Sequence, residues 1–262
     1  KNAAAAAVIV ANFDNIARAT IGGSSDLLKA NVDALGTLKV DAKVSNPFEV
    51  KYPAIDLVQD GFSLSNFLKA VPDDSLYIPG ALFNAWAQAA GEGDEVGIAG
   101  SVNLFDVDNT VEAKIGNFAV VNGDTGFFGS TQQPGDVSVS ATVDVVTVNL
   151  SGVADFFLQA LLSLGKNIFS TGGTKAGMGG SALATFYTNN VLATIENGAH
   201  VDAKALSVFA ATDVSHVSIA IAGAKAGKYA FGGSLSWVGL TNFTTARIGD
   251  GAVVDAAGPL TI

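Results

Sequence analysis

The chain has 262 residues, of which 49% are apolar and only 15% charged, and it carries a formal net charge of −10 with no cysteine. That balance excludes the basic surface that nucleic acid requires and the polybasic patch that anionic lipid requires. The missing cysteines exclude a disulfide framework, a thiolate metal site and a cysteine nucleophile, and no unbroken apolar run of about 18 residues offers a membrane span.

Glycine reaches 30 residues, and Val, Ile, Thr and Phe are more plentiful than a helical bundle needs, so the composition favours an all-β protein with a large core. In chain order, Ala3–Val10 reads as a strand rather than a signal peptide, because it is short and lacks a charged-then-cleaved layout. A short strand at Leu38-Lys39-Val40 follows. Residues 45–95 then read as an insertion: Pro47, Pro53, Pro72 and Pro79 break strands, and Ile55–Val71 and Ala81–Ala90 have helical character. Short alternating strands return at Val137-Ser138-Val139 and Val145–Leu150. A second insertion, 151–166, contains VADFFLQALLSL, where Phe156, Phe157, Leu161 and Leu164 recur at helical spacing. Beyond it lie Leu206-Ser207-Val208, Val214–Ala222 and the terminal Leu260-Thr261-Ile262. The insertions are expected to cover a flank or a sheet edge; a sharper reading makes Trp86, Phe127 and Phe128 a partner-binding surface.

A repeat underlies this order. Four blocks align without gaps on Ile21, Ile115, Ile195 and Ile248. Two residues before each anchor stands alanine (Ala19, Ala113, Ala193, Ala246), and six before it stands asparagine (Asn15, Asn109, Asn189, Asn242). Fourteen before it, three blocks carry Ser101, Ser181 and Ser234 behind glycines, while the first has Ala7. Units that cannot bury their own inward side chains become stable when the next unit stacks on them, which is the logic of a β-solenoid. The asparagine is expected to serve a sharp left-handed corner or to hydrogen-bond a stacked asparagine, and the alanine to suit a narrow interior. Anchor spacings of 94, 80 and 53 residues are too long and uneven for one coil each, so each unit is expected to span several coils plus insertions. The whole of 1–262 reads as a single right-handed parallel β-helix domain with short helical insertions, and as a fragment of something larger, because it begins and ends inside patterned sequence.

The run EVGIAGSVNLFDVDNTVEAKIGNFAVV from Glu95 to Val121, and its echo GGSLSWVGLTNFTTARIGDGAVV from Gly232 to Val254, resemble repeats of very large bacterial exoproteins, the leukotoxin-like filamentous adhesins related to filamentous haemagglutinin. Phe83–Ser101, with Ala85-Trp86-Ala87-Gln88, resembles the insertion found in those repeats. The resemblance implies a right-handed β-helix at the cell surface, export, neighbouring β-helix repeats in a parent chain, and contact with a host or neighbouring cell through glycan or protein. It brings no catalytic residues.

Parallel β-helices also include polysaccharide lyases and hydrolases, so a carbohydrate-active enzyme is the alternative. Such chemistry wants clustered carboxylates for Ca²⁺ or an acid pair, with a basic residue nearby. Asp106 and Asp108, with Glu112, and the GEGDE stretch of Glu92, Asp94 and Glu95 are the candidates. A solvated corner explains Asp106 and Asp108 more simply, because the third and fourth blocks offer Phe186 and Leu240 for the first, and Thr188 and Thr241 for the second. Ca²⁺ at Asp106 and Asp108 is the one cofactor with any foothold. His200 and His216 sit in separate strand contexts and suggest neither a metal pair nor a triad. The glycine pairs Gly172-Gly173, Gly179-Gly180 and Gly232-Gly233 precede no GKS/T and so form no phosphate cradle. The reading is a non-enzymatic structural or adhesive segment, secreted or surface-bound.

Overall fold

A computed structural model describes residues 1–22, 29–45, 85–87, 89, 91–123, 134–152 and 172–262. Of these, 76% are in strands and none is in a helix. The first unit comprises β1 (Asn2–Ile21), β2 (Asn31–Val32), β3 (Leu38–Ser45) and β4 (Ala85–Ala87). The second comprises β5 (Val96–Ile115), β6 (Val120–Val121), β7 (Val137–Gly152) and β8 (Gly172–Gly173). The third comprises β9 (Ala176–Ile195), β10 (His200–Ala203), β11 (Leu206–Ile221) and β12 (Lys225–Ala226), and the fourth β13 (Tyr229–Ile248), β14 (Val253–Ala256) and β15 (Leu260–Thr261).

Like strands of successive units pair in parallel. One long sheet runs β1-β5-β9-β13, a facing sheet runs β3-β7-β11-β15 with β4 also on β7, and the narrow sheet β2-β6-β10-β14 joins them at one end. At the other end β8 pairs with β12. Each unit therefore supplies one strand to each of the three larger sheets, in chain order.

This corrects the expectation of several coils per unit. The spacings of 94, 80 and 53 residues are each a single layer, because the partners across one rung of the first sheet are separated by those distances. The unevenness comes from where extra chain enters. Residues 46–84 lie between β3 and β4, residues 124–133 between β6 and β7, and residues 153–171 between β7 and β8, whereas the third unit closes without such additions. The strands are also longer than expected, 20 residues in the first sheet and 16 in β7 and β11, because the alternation runs on through small residues that looked like breaks. Ala85–Ala87, expected in a helix, is a strand resuming where β3 stopped: Ser45 pairs with Asp144 and Ala85 with Asn149. The other expected helices, 55–71 and 153–164, lie outside the described residues, as do Phe127 and Phe128.

Burial alternates along the strands. In β5 the odd positions from Gly97 to Ile115 face inward and are buried, and in β7 Val137, Val139, Ala141, Val143 and Val145 do the same against Ser138, Ser140 and Thr142 outside. Val111, Ala113, Ile115, Val121, Val139, Val191, Ala193, Ile195 and Val201 form the centre of one continuous core, all essentially inaccessible. Ala113 and Ala193 of the repeat are fully buried in this core.

The repeated asparagines are mid-strand and inward, not at corners. Asn15 Nδ2 donates to Asn109 Oδ1 at 2.9 Å, Asn109 Nδ2 to Asn189 Oδ1 at 2.6 Å, and Asn189 Nδ2 to Asn242 Oδ1 at 2.7 Å, a ladder through all four layers. None has a positive φ. The left-handed corner role belongs instead to Asn122, at φ 55°, whose amide accepts from Ala34 N at 2.7 Å and donates to Asp202 O at 3.0 Å. After each of the last three isoleucine anchors the chain makes the same turn, closed by Ala119 N to Gly116 O, Ala199 N to Glu196 O and Ala252 N to Gly249 O. Its third residue has positive φ: Gly198 and Gly251, but Phe118 in the second unit.

The ladder generates a graded prediction. Replacing Asn189 by alanine removes two rungs, at about 0.5–1.5 kcal/mol each, and strands the buried donor of Asn109, while the acceptor of Asn242 on the exposed last strand is left to water. Asn242→Ala strands only the donor of Asn189. Urea unfolding should show roughly twice the stability loss for Asn189→Ala; equal losses would mean the rungs do not carry the layers.

Candidate functional site

Two arrangements stand out, one buried and one exposed. The buried one fills the half of the interior nearest β8 and β12. Inward positions there switch from valine to polar residues: Thr147, Asn149 and Ser151 on β7, His216 and Ser218 on β11, and Ser181, Thr185 and Tyr187 on β9. At its centre the Thr147 hydroxyl bonds the Tyr187 hydroxyl and lies 2.7 Å from His216 Nδ1, which is 2.9 Å from the Tyr187 oxygen. His216 Nε2 bonds the Ser218 hydroxyl, and the Tyr187 and His216 rings meet edge to face at 5.4 Å. Asn149 Nδ2 donates to Thr185 Oγ1 at 3.2 Å, and Ser181 Oγ to Ser151 O at 2.7 Å. The acceptors Asn103 Oδ1 and Asn149 Oδ1 take no hydrogen bond.

Burial governs the titration of this group. It pushes the Tyr187 phenol up to about 12, against a smaller opposing pull from the Thr147 hydrogen bond, and it pushes His216 down to about 4. At neutral pH both are uncharged. Tyr187 and Thr147 are each about 1% exposed, so a polymeric substrate cannot reach them, and their chemistry is mutual hydrogen bonding across the two facing sheets.

The exposed arrangement is the outer face of the first sheet. Its outward rows run across the layers as Ala4, Ile98, Met178 and Phe231; then Ala6, Gly100, Gly180 and Gly233; then Val8, Val102, Ala182 and Leu235; then Val10, Leu104, Ala184 and Trp237. Phe231, Leu235 and Trp237 are each more than 60% exposed. A β-carbon built on Gly100, Gly180 or Gly233 meets nothing, so the glycine row is the floor of a trough, walled by Ile98, Met178 and Phe231, with a volume near 470 Å³. These four rows span roughly 20 Å along the strands by about 15 Å across the layers. Together they make a contiguous apolar surface on this half of the sheet. The far half of the same face is charged, with Arg18 to Glu112 at 3.0 Å, Glu112 to Lys114 at 3.3 Å and Lys114 to Glu196 at 3.9 Å.

The glycine pairs thus have two roles. The outward member opens the trough, and the inward member admits neighbouring backbone: a β-carbon on Gly179 would lie 2.1 Å from Gly223 O, and one on Gly177 2.6 Å from Lys225 O.

Asp106 and Asp108 lie on the outward side of mid-β5, not at a corner. The register gives Phe186 and Gly239 as the counterparts of Asp106, so Gly239 replaces Leu240 in that column, while Thr188 and Thr241 do stack with Asp108. Asp108 pairs across the layer with Asp14, yet no cluster of three or more potential metal ligands occurs among the described residues. Trp86 pairs through its backbone with Leu150, remote in sequence from the apolar rows. His200 reaches Asp202 at 3.0 Å on β10, and His216 belongs to the buried cluster, so the two histidines do not converge.

No family model, no curated protein and no solved structure matches this chain.

The buried histidine predicts a pH response. The unfolded chain protonates His216 near 6.5, whereas the folded protein resists until about 4. The stability gained by keeping it neutral is therefore complete above about pH 6.5, falls as pH drops towards about 4, and levels off below. Urea midpoints across that window should fall more steeply for the wild type than for His216→Gln; parallel curves would mean that His216 is not held neutral.

Proposed function

We propose that the chain is a segment of a right-handed parallel β-helix belonging to an exported bacterial surface protein, and that it extends the structure and makes contact rather than catalysing a reaction. The observation that carries this reading is the layering: each unit supplies one strand to every large sheet at constant register, so length is added by adding units. The likeness of residues 95–121 and 232–254 to the repeats of filamentous exoproteins supports the same reading.

The contact surface on this reading is the apolar outer face of the first sheet, with its glycine-floored trough. Exposed Phe231 and Trp237 offer flat rings, and the trough a backbone-lined groove, which suits the apolar faces of sugar rings or an extended protein segment on another cell. The sealed interior supports a structural role for the Tyr187 group, since its hydroxyls and imidazole satisfy one another.

Beads coated with the chain should adhere to cells or score on a glycan array, and Phe231→Ser together with Trp237→Ser should lower that binding at least tenfold while leaving the circular dichroism unchanged. Binding that survives the double substitution would move the contact elsewhere. Release of sugar ends from a polysaccharide panel would overturn the non-enzymatic reading.

A further inference from the structure

We propose that Met178 is a reversible oxidation site that regulates the apolar outer face of the first sheet: hydrogen peroxide turns its thioether into the sulfoxide, and the trough then no longer takes an apolar partner. The inference rests on the contact role of that face and adds its control. With no cysteine and one methionine, the chain contains a single sulfur atom. Methionine usually serves cores, where it fills irregular gaps, but Met178 points outward on β9 and is 48% exposed. Its neighbours in register, Ile98 on β5 and Phe231 on β13, flank it on either side, so this exposure holds with one layer in place below it and one above. The rest of its column is Ala4, Ile98 and Phe231, side chains without sulfur that peroxide leaves alone.

The glycines beside it give both access and room for the product. Gly180 and Gly233 lie in the trough with Met178, and a β-carbon built on either meets nothing within 4 Å, so a small oxidant approaches along a groove with no side chain across it. In the reaction the sulfur lone pair attacks one peroxide oxygen. The O–O bond breaks as the S–O bond forms, and the departing hydroxide takes the proton of the transferred oxygen and leaves as water. Sulfur gives up two electrons and the peroxide gains them. None of the residues lining the trough is titratable, and the step needs no acid or base from the protein.

The product changes the face through its hydrogen bonding. A thioether is a weak acceptor, whereas a sulfoxide oxygen is a strong one. No residue lining the trough carries a side-chain donor, and the backbone N–H groups of β9 are committed to the ladders with β5 and β13. Water therefore satisfies the new oxygen. An apolar partner covering it would strip that water and leave a buried acceptor without a donor, so oxidation works against contact. Methionine sulfoxide reductase with a thiol returns the thioether, which makes the change reversible.

Peroxide treatment of the chain tests this, read by peptide mass spectrometry, by binding of the neutral apolar dye Nile red and by adhesion of coated beads to cells. One oxygen atom should be added at Met178, at a rate within a few-fold of that for N-acetylmethionine amide. Dye and bead binding should both fall at least fivefold with the circular dichroism unchanged, and reductase with dithiothreitol should restore them. Met178→Leu should bind like the untreated wild type and keep its binding in peroxide, while Met178→Gln should bind like the oxidised protein. Sulfoxide formation without loss of binding would overturn the proposal, as would a Met178 that resists peroxide while the free amide reacts, or a loss that Met178→Leu shares. Binding abolished by Phe231→Ser with Trp237→Ser, yet indifferent to oxidation, would sink this proposal and leave the contact reading standing. An untreated chain that binds neither dye nor cells would sink both.

Discussion

Everything in this structure depends on parallel strands bonding to the same strand of the next unit. A parallel ladder of this kind places each residue beside its own counterpart one layer away, so a side chain's principal neighbour is whatever the repeat puts at that position. Asparagine can satisfy asparagine in that geometry, donating up the stack and accepting from below, and three such bonds link four layers along the inward side of the first sheet. Alanine and isoleucine stack for a different reason: equal volumes keep the layers level, and Ala113, Ala193, Ile115 and Ile195 are fully buried. The additions enter beside β3, β6 and β7; the first breaks the second sheet between the rungs at Asp144 and Asn149, and none interrupts the 20-residue strands of the first sheet.

The interior divides along the strands. Near the narrow sheet it is valine, isoleucine and alanine; towards β8 and β12 it is serine, threonine, asparagine, tyrosine and histidine. Buried polar groups are stabilising only when they bond one another, and the Thr147, Tyr187 and His216 group achieves this by joining the two facing sheets through Tyr187 as well as two layers of one sheet through Thr147 and His216. Such a cluster fixes how the sheets sit across the interior, a constraint that interchangeable valines do not impose. Burial in turn holds the imidazole and the phenol uncharged.

The outer face of the first sheet follows a different rule from the outer face of the second. Along β7 the outward positions begin with Ser138, Ser140, Thr142 and Asp144, the usual solvated side of a half-buried strand. Along the first half of β5, β9 and β13 the outward positions are instead apolar or small. The glycine row adds shape to this face, since three successive residues without side chains in one column leave a groove at right angles to the strands.

Much of the layering was legible in the sequence. The offsets that align Asn15, Asn109, Asn189 and Asn242 on their isoleucines are the registers of the first sheet, because a residue's distance from its anchor is its place along the strand. The column of alanines and the strand-rich composition pointed the same way. What the sequence alone left open, or misplaced, were the features that join unlike positions. Whether an asparagine is mid-strand or at a corner is decided by the backbone on either side, and the glycines and asparagines that suggested short strands proved compatible with long ones. Tyr187 is 40 residues from Thr147 and 29 from His216, and no repeat relates them. By itself the sequence determined which residues stack on their own counterparts, since repetition advertises a shared column. Only the tertiary structure decided which columns face each other and which face outward, because contacts across the interior join different chemistries once and leave no period to read.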